Sequence, residues 1–170
     1  MILNKQVGVF LNFVHNKFKQ YVTSIFQQKG YNITPEQFLL MDALWDNGIL
    51  SQQQIADIML KDKNSVVKLI DGLEKKGLVT REPDPQDRRQ NLIKVTASAI
   101  EMKDDVTNIA MGAVNLIIKD IPKQELYFFI KVLAKMAENM TAEEDLVQLS
   151  QFGEAIAANA AAAGRENIEI

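Results

Sequence analysis

The most constraining feature of this sequence lies between residues 51 and 96, where two short helical patterns precede two segments of alternating apolar and polar residues. Ser51 and Gln54 have the spacing of a capping box, which predicts the start of the first helix. The second helical pattern runs to about Lys76 and ends at Gly77, because glycine adopts the left-handed conformation at a helix end at little cost. This order of helical and alternating patterns predicts two helices joined by a tight turn and followed by a two-stranded β-hairpin.

The second of these helices has one apolar and one polar face. Asp62 or Asn64 can cap its N-terminus by accepting a hydrogen bond from a free backbone N–H group. Helical spacing predicts a buried stripe of Val66, Leu69, Ile70 and Leu73. The opposite face is predicted to point outward with Asn64, Ser65, Val67, Lys68, Asp71 and Gly72. Such groups can meet phosphates, base edges or a thymine methyl in a major groove, although an ordinary solvated helix face has a similar composition.

The hairpin is predicted from strands at 78–82 and 91–95, joined by a polar segment with two prolines that cannot pair as sheet. This segment carries Asp87, Arg88 and Arg89. An arginine pair on a projecting hairpin suits a narrow, electronegative minor groove, and Asp87 can hold one guanidinium in position. On its own, an Asp-Arg-Arg loop is more often a solvated surface turn.

Taken together, residues 51–96 resemble the MarR (multiple antibiotic resistance regulator) family of winged helix-turn-helix transcription factors. The matching segments are 64–71 at the recognition helix, 74–79 after it, 84–89 in the wing, and 95–96. Two positions depart from the family pattern. Lys68 stands where many members carry arginine, and Gly72 loosens the middle of the recognition helix. Both departures concern the DNA sequence recognised and leave the class of protein unchanged.

The resemblance implies a sequence-specific regulator, a ligand-responsive repressor that binds double-stranded DNA as a homodimer. Two copies related by a two-fold axis would recognise half-sites about one helical turn apart, roughly 34 Å, in a pseudo-palindromic operator. The DNA-binding residues are predicted to be Asn64, Ser65, Val67 and Lys68 in the major groove, with Arg88 and Arg89 in the minor groove or on phosphates and Asp87 orienting one of them.

The whole chain is predicted to be mainly α, a winged helix-turn-helix with a two-stranded β-wing and long terminal dimerisation helices. The predicted parts are an N-terminal dimerisation helix (1–32), the DNA-binding domain (33–96), C-terminal dimerisation helices (97–140) and an additional helical tail (141–170). The tail extends beyond the family resemblance. It either packs on the dimer or frays, or it modulates DNA binding or recruits another protein.

Helical periodicity predicts further detail outside the central segment. A first helix over residues 3–29 has Phe13 and Phe26 off its apolar stripe, which indicates a second packing partner. Thr34 caps the next helix, and a third is predicted from Thr96 to about Lys119. The predicted core residues of the second helix are Phe38, Leu39, Met41, Leu44 and Trp45.

The composition of the chain bears on its charge distribution, on its cysteine chemistry and on the compartment in which we expect it. The formal net charge is −3, made up of +1 for residues 1–50, +2 for 51–96 and −6 for 97–170. A weakly positive central part can still bind phosphates locally while the acidic part faces away. The absence of cysteine excludes disulfides, thiolate metal sites and thiol redox sensing. Without a signal pattern or a long apolar run, we expect a cytoplasmic protein that does not associate with membranes.

The family resemblance also implies a small aromatic or phenolic effector that releases the DNA. The candidate residues come from the first two helices and are Phe10, His15, Tyr21, Phe38, Met41 and Trp45. Aromatic and methionine side chains at helical spacing are more often simply core. The single histidine is more typical of a surface or interface position than of a ligand or pH-sensing group.

The sequence offers no pattern typical of an enzyme. One histidine and no cysteine leave no metal pair and no nucleophile-base set, and no glycine-rich phosphate loop is present, so no cofactor is expected. The competing interpretation is a winged-helix protein-protein interaction module without specific DNA binding. Lys68, Arg88 and Arg89 distinguish the two, because a protein-binding wing has no need of cations placed for both grooves.

Overall fold

The computed structural model describes residues 2–140, with side chains from residue 5 onward, so the predicted tail at 141–170 lies outside the described residues. The chain forms two compact units that divide between Ile117 and Ile118. The helices described are α1 (Ile2–Gln28), α2 (Pro35–Asn47), α3 (Gln52–Ile58), α4 (Lys63–Lys75), α5 (Ala97–Glu101), α6 (Lys103–Ile117) and α7 (Lys123–Met140). The strands are β1 (Leu50–Ser51), β2 (Val79–Pro83) and β3 (Asn91–Val95). The mainly α winged helix-turn-helix is confirmed.

Side-chain caps fix the starts of the helices that surround the turn. Thr34 and Gln37 form a complete capping box on α2, and Ser51 and Gln54 form another on α3. Asp62, rather than Asn64, caps α4 by accepting from the backbone N–H of Ser65 at 2.9 Å. These caps satisfy backbone donors that no helical carbonyl can reach.

The sheet has three strands in the order β1-β3-β2, all antiparallel. The hairpin register pairs Val79 with Val95 and Arg81 with Ile93, close to the predicted strand limits. The third strand was not predicted: β1 has only two residues, with Leu50 opposite Ile93. Two residues are too few for alternation to be recognised, and Ser51 had been interpreted only as a helix cap.

The core lies in the first unit, where the C-terminal part of α1, helices α2 to α6 and the three strands all contribute buried residues or residues packed against them. The largest fully buried side chains are Phe26, Leu40, Met41, Leu44, Ile55, Val66, Ile70, Leu73, Val79, Ile93 and Val106. The prediction of Leu39 as core is wrong, since this side chain is exposed and Leu40 is buried instead. Leu40 lies one turn before Leu44, so helical spacing puts it on the buried face.

The single long helix predicted from Thr96 is divided at Met102 into α5 and α6, and α6 ends at Ile117. Thr96 caps α5 as predicted, by accepting from the backbone of Ala99. Met102 has φ −86° and ψ −4°, at the edge of the helical region where helices commonly end, and its side chain packs on the core. Two acidic residues in the first turn of α6 favour a new helix start at this point.

The first helix is partly embedded and largely uncovered. Val22 and Phe26 belong to the core, whereas every side chain from residue 5 to 21 is exposed. In the second unit, α7 has no buried residue among those described. Among the described helices, none has the length and apolarity needed to cross a membrane.

Candidate nucleic-acid interface

The N-terminal turn of α4 carries the side chains predicted to meet a major groove. Asn64 and Lys68 are exposed, and Ser65 and Val67 are half-buried at the surface. The Ser65 hydroxyl donates to Asp62 at 2.5 Å, and this bond together with that from the Ser65 backbone holds the pKa of Asp62 below its ordinary value. With its proton committed to Asp62, Ser65 presents acceptor lone pairs to an incoming group.

Two residues predicted to point outward from α4 lie instead against neighbouring elements of the structure. Asp71 forms an ion pair with Arg81 of β2. Gly72 faces α2, where a Cβ on this residue would lie 2.6 Å from Nε2 of Gln37. The prediction that Gly72 points outward is therefore wrong, because helical spacing alone could not show how closely α2 approaches α4. The surface of α4 that remains available for the predicted major-groove contact is its N-terminal half.

Arg81 joins the wing to the recognition helix, a role that the sequence analysis did not find. Its guanidinium donates to Glu74 at 2.8 Å and also to Asp71, so one β2 side chain holds two acids of α4 that lie about one turn apart. The Arg81 side chain is only 22% exposed. The signal in the sequence was a cation on a strand seven and ten residues after two acids on a helix, which is too common a spacing to be noticed.

The wing tip is held by a network centred on Asp87. Its carboxylate accepts from Nε of Arg89 at 2.9 Å, from Nη2 of Arg89 at 3.1 Å and from the side chain of Gln90 at 3.2 Å. The side-chain bond from Arg89 is the main cause that lowers the pKa of Asp87 to about 2. The structure thus confirms the expected contact between Asp87 and one guanidinium, and identifies that guanidinium as Arg89.

The two wing arginines differ in their surroundings. The Arg89 side chain is 90% exposed although it is paired with Asp87, so the guanidinium is oriented without being covered. Arg88 is exposed and has no ion-pair or hydrogen-bond partner among the described residues. Charge-assisted bidentate pairing fixes the direction of one cation, while the other is free to follow a phosphate.

All these groups belong to one compact unit. The N-terminal half of α4, the wing tip and the Arg81 connection lie within residues 62–90 of the first unit. Further exposed lysines lie at the two ends of α4, namely Lys61, Lys63, Lys75 and Lys76. A helix with short polar groups and cations, fixed to a hairpin with an oriented arginine, can contact two neighbouring grooves of a duplex.

The six predicted effector residues do not gather around one described cavity. Phe10, His15 and Tyr21 are exposed on α1. Phe38 and Met41 are buried in the core of the first unit, where the Phe38 ring lies 5.8 Å from that of Phe26. The effector role of these six residues stays a prediction. A surface groove of about 520 Å³ on α1 is lined by Gly8, Val9, Asn12, Phe13, Asn16, Lys17 and Gln20.

Trp45, the sixth of these residues, is half-buried and packs against the core. Its indole Nε1 and the Oγ1 of Thr107 are both buried with no hydrogen bond in the described structure. The ammonium of Lys103 lies 5.8 Å from the centroid of the Trp45 ring. Since Lys103 and Thr107 are one turn apart on α6, they share a face of that helix. Buried polar atoms without partners are uncommon and call for a water or a ligand.

Comparison with known proteins gives a consistent set of similarities. The sequence model of the MarR family matches residues 33–90. The HTH-type transcriptional repressor NicR of Pseudomonas putida is 30% identical over 122 residues, which cover 66% of this chain and 75% of that protein. A transcriptional regulatory protein assigned to the hcr operon of Thauera aromatica is 32% identical over 84 residues, 49% of each chain. A mutant of MarR from E. coli, complexed with operator DNA, superposes with a TM-score of 0.70 at 19% identity, covering 77% of this chain and 93% of that one.

Proposed function

Because the chain belongs to the MarR family of DNA-binding transcriptional regulators, which are not enzymes, we propose that it is a ligand-responsive repressor that binds a pseudo-palindromic operator as a homodimer. The observation that carries the proposal is the Arg81 connection, which joins β2 of the wing to the C-terminal half of α4, so that the recognition helix and the hairpin bearing the oriented Arg89 are held together. Such a unit can contact base edges and backbone at the same time.

In this proposal the major groove is contacted by α4. Lys68 is exposed and can reach guanine or a phosphate, and Asn64 can bond adenine or a phosphate near the helix N-terminus. Ser65 offers an acceptor, which suits an exocyclic amino group of cytosine or adenine. Val67 lies close enough to the surface to contact a thymine methyl.

The wing contacts the minor groove or the phosphates beside it. In this proposal Arg89 contacts the minor groove first, because Asp87 already directs its guanidinium. Little side-chain freedom is therefore lost on binding. Arg88 neutralises a phosphate. A narrow minor groove has an enhanced negative potential that attracts such a cation without the need for base-specific bonds.

The homodimer is supported by apolar side chains that lie exposed within the described part of each unit. On α1 the exposed large apolar residues are Val7, Val9, Phe10, Leu11, Phe13, Val14, Phe18 and Tyr21, and on α7 they are Tyr127, Phe128, Phe129, Ile130, Val132 and Met140. Exposed apolar surfaces of this kind mark interaction sites. A two-fold axis through such an interface would present two α4 helices to half-sites about one helical turn apart.

The effector is a small aromatic or phenolic molecule in this proposal. Trp45 supports it, since its buried indole N–H has no partner in the described structure and can donate to a hydroxyl or carboxylate oxygen, and its ring lies 6.3 Å from that of Phe38. Repression follows if the bound dimer obstructs polymerase, and the relative NicR is itself named a repressor.

The alternative is a winged-helix module that binds another protein. The exposed and oriented cation at the wing tip argues against it, because a protein partner does not require an arginine placed for a minor groove. The two functions differ in their dependence on salt and on DNA sequence.

The proposal is tested by selecting binding sites from random-sequence duplex DNA with the full chain. We expect an inverted repeat whose half-sites are centred about 10 base pairs apart, and Arg89→Ala should weaken binding to it by about 1 to 3 kcal/mol. Lys29→Ala removes one exposed positive charge outside residues 51–96 and serves as a charge-matched control. Recovery of no common sequence, with Arg89→Ala equal to the control, would reject specific DNA binding.

A further inference from the structure

A buried amide connects the first turn of α2 to the last turn of α4. Gln37 is 7% exposed, and its Oε1 accepts from Nζ of Lys76 at 2.8 Å and from the backbone N–H of Thr34 at 3.2 Å. Both lone pairs of this oxygen are therefore used. One side chain completes the cap of α2 and also holds the residue that ends the recognition helix.

The other end of the same amide occupies space next to α4. A Cβ on Gly72 would lie only 2.6 Å from Nε2 of Gln37 and 3.9 Å from its Cδ. The amide cannot simply swing away, because its oxygen is held by Lys76 and Thr34. Glycine weakens a helix interior, and the close approach of Gln37 is the reason for its presence at this position.

The residue before Gln37 connects α2 to α1. Glu36 accepts from Nζ of Lys19 at 2.9 Å, and Lys19 lies on α1. Consecutive side chains in the first turn of α2 thus contact the long N-terminal helix on one side and the recognition helix on the other. The first turn of α2 therefore contacts both α1 and the end of α4.

We propose that Gln37 is a positioning residue for DNA binding, which fixes the C-terminal half of α4 against α2 and so sets the separation of the two recognition helices in the dimer. This inference rests on the proposed function. It assigns a role in recognition to a buried glutamine and a helical glycine, neither of which faces the DNA.

The first test compares Gln37→Ala with Gln37→Glu in the full chain, using the selected operator and an unrelated duplex. We expect Gln37→Ala to weaken operator binding about tenfold, equivalent to about 1.4 kcal/mol, with little change on the unrelated duplex. Gln37→Glu should retain wild-type affinity, since a carboxylate oxygen can still accept from Lys76 and from the Thr34 N–H. Binding to unrelated DNA reports phosphate contacts, which a displaced α4 retains.

The second test uses the spacing of the operator, a property that a merely structural role would not change. Operators with half-sites moved one base pair apart or together are compared for wild type, Gly72→Ala, Gln37→Ala and Gln37→Ala/Gly72→Ala. We expect Gly72→Ala to weaken the preference for the native spacing. In the Gln37→Ala background the added methyl meets no amide and should have no further effect, which is the non-additivity expected of contacting residues. Gly112→Ala in α6 is the matched control, because a Cβ there would have no neighbour within 4 Å.

The results separate the two proposals. If wild type prefers its operator but Gln37→Ala and Gly72→Ala keep its affinity and spacing preference, the positioning role is rejected and the proposed function stands. If wild type does not distinguish the operator from unrelated DNA, the proposed function is rejected, and this inference with it.

Discussion

Asp87 shows how a single residue prepares the wing for its proposed contact. Arginine side chains lose considerable rotamer freedom when they are held in one geometry. In this chain the carboxylate of Asp87 already bonds two nitrogens of Arg89 while leaving the guanidinium exposed. Part of the ordering that binding requires is therefore completed in the free protein.

The pKa of Asp87 gives a direct check on this contact. Since its folded pKa is lowered to about 2 from the ordinary value near 3.8, the contact stabilises the fold at any pH above that ordinary value. It is lost only as the pH falls through about 2. We predict that the Asp87 carboxyl carbon, followed by NMR, titrates near pH 2 and moves towards its ordinary value in Arg89→Ala. A midpoint near 3.8 in both proteins would contradict the contact.

Leu60 has a left-handed backbone conformation, which residues with a side chain rarely adopt. It has φ +50° at the turn between α3 and α4, and its side chain is 55% exposed. The backbone N–H of Lys61 donates to the carbonyl of Ala56, and that of Leu60 to Asp57, which is the pattern in which a helix normally closes with glycine. Gly77 occupies the equivalent place after α4.

We predict that Leu60→Gly raises the free energy of unfolding by up to about 1 kcal/mol. Relief of the left-handed strain gains about 1 to 2 kcal/mol, and the extra freedom of glycine in the unfolded chain returns about 0.5 to 1 kcal/mol. Chemical denaturation measures the difference. Leu39→Gly, at an equally exposed leucine inside α2, should instead cost about 1 kcal/mol. Equal losses in both variants would show that Leu60 is not strained.

For single residues, the sequence correctly predicted the features that depend on neighbours close along the chain. Caps, the closing glycine and the pairing of Asp87 with an arginine depend on residues within four positions of each other, and each was found. Gly72 was misplaced because its environment depends on Gln37, thirty-five positions earlier. Without the packing angle of α2 on α4, no spacing rule could have assigned that contact.

Among the elements, the wing and the recognition helix act as a pair because of Arg81. The ion pairs with Asp71 and Glu74 connect β2 to α4. Both acids are more than a third exposed, so solvent weakens the pairs and their contribution to stability is small. Their larger effect is on geometry, since a wing free to move would present Arg89 in many positions relative to α4.

We predict that Arg81→Ala weakens operator binding several-fold more than Lys94→Ala, while both keep the fold. Lys94 is a cation on the same sheet, but it pairs with Glu82 on the neighbouring strand and makes no described contact with α4. Each variant thus removes one positive charge, but only Arg81→Ala removes the ion pairs that connect β2 to α4. Operator titrations, with thermal melting as a check on folding, give the result. Equal losses would mean that only the charge matters.

The periodic helices were predicted more accurately than the short strand β1 and the helix break at Met102. Helices α1, α2 and α4, which show three or more turns of periodicity, were found close to their predicted limits, including the recognition helix up to Gly77. The strand β1 and the break at Met102 were missed. Both depend on tertiary contacts, with Leu50 paired to Ile93 and Met102 packed on the core, and neither leaves a periodic signal.

For the whole molecule, the uncovered half of α1 is the feature that a single chain does not explain. We predict that Phe10→Glu/Phe13→Glu yields a folded monomer that binds the operator far more weakly than wild type. Both rings are more than half exposed and outside the core, so the fold should remain. Sedimentation velocity measures the state of association. The double variant Asn12→Glu/Asn16→Glu adds the same charge to α1 without removing apolar surface, and dissociation of both variants alike would assign the effect to charge.

The charge distribution of the chain also bears on its binding to DNA. The net charge is +2 over residues 51–96 and −6 over 97–170, so only the central part attracts the phosphates of a duplex. This modest positive excess predicts weak binding to unrelated DNA. Specificity must then come from the contacts of α4 and the wing, not from bulk attraction.

The most direct test of the central claim is a titration of the full chain against the selected operator, with excess unrelated DNA as competitor, at a series of salt concentrations. We expect operator binding to survive the competitor and to fall by about a thousand- to a hundred-thousand-fold between 50 and 200 mM salt, if roughly six to ten phosphates are neutralised. Binding that the competitor removes, or that does not change with salt, would contradict a sequence-specific DNA-binding regulator.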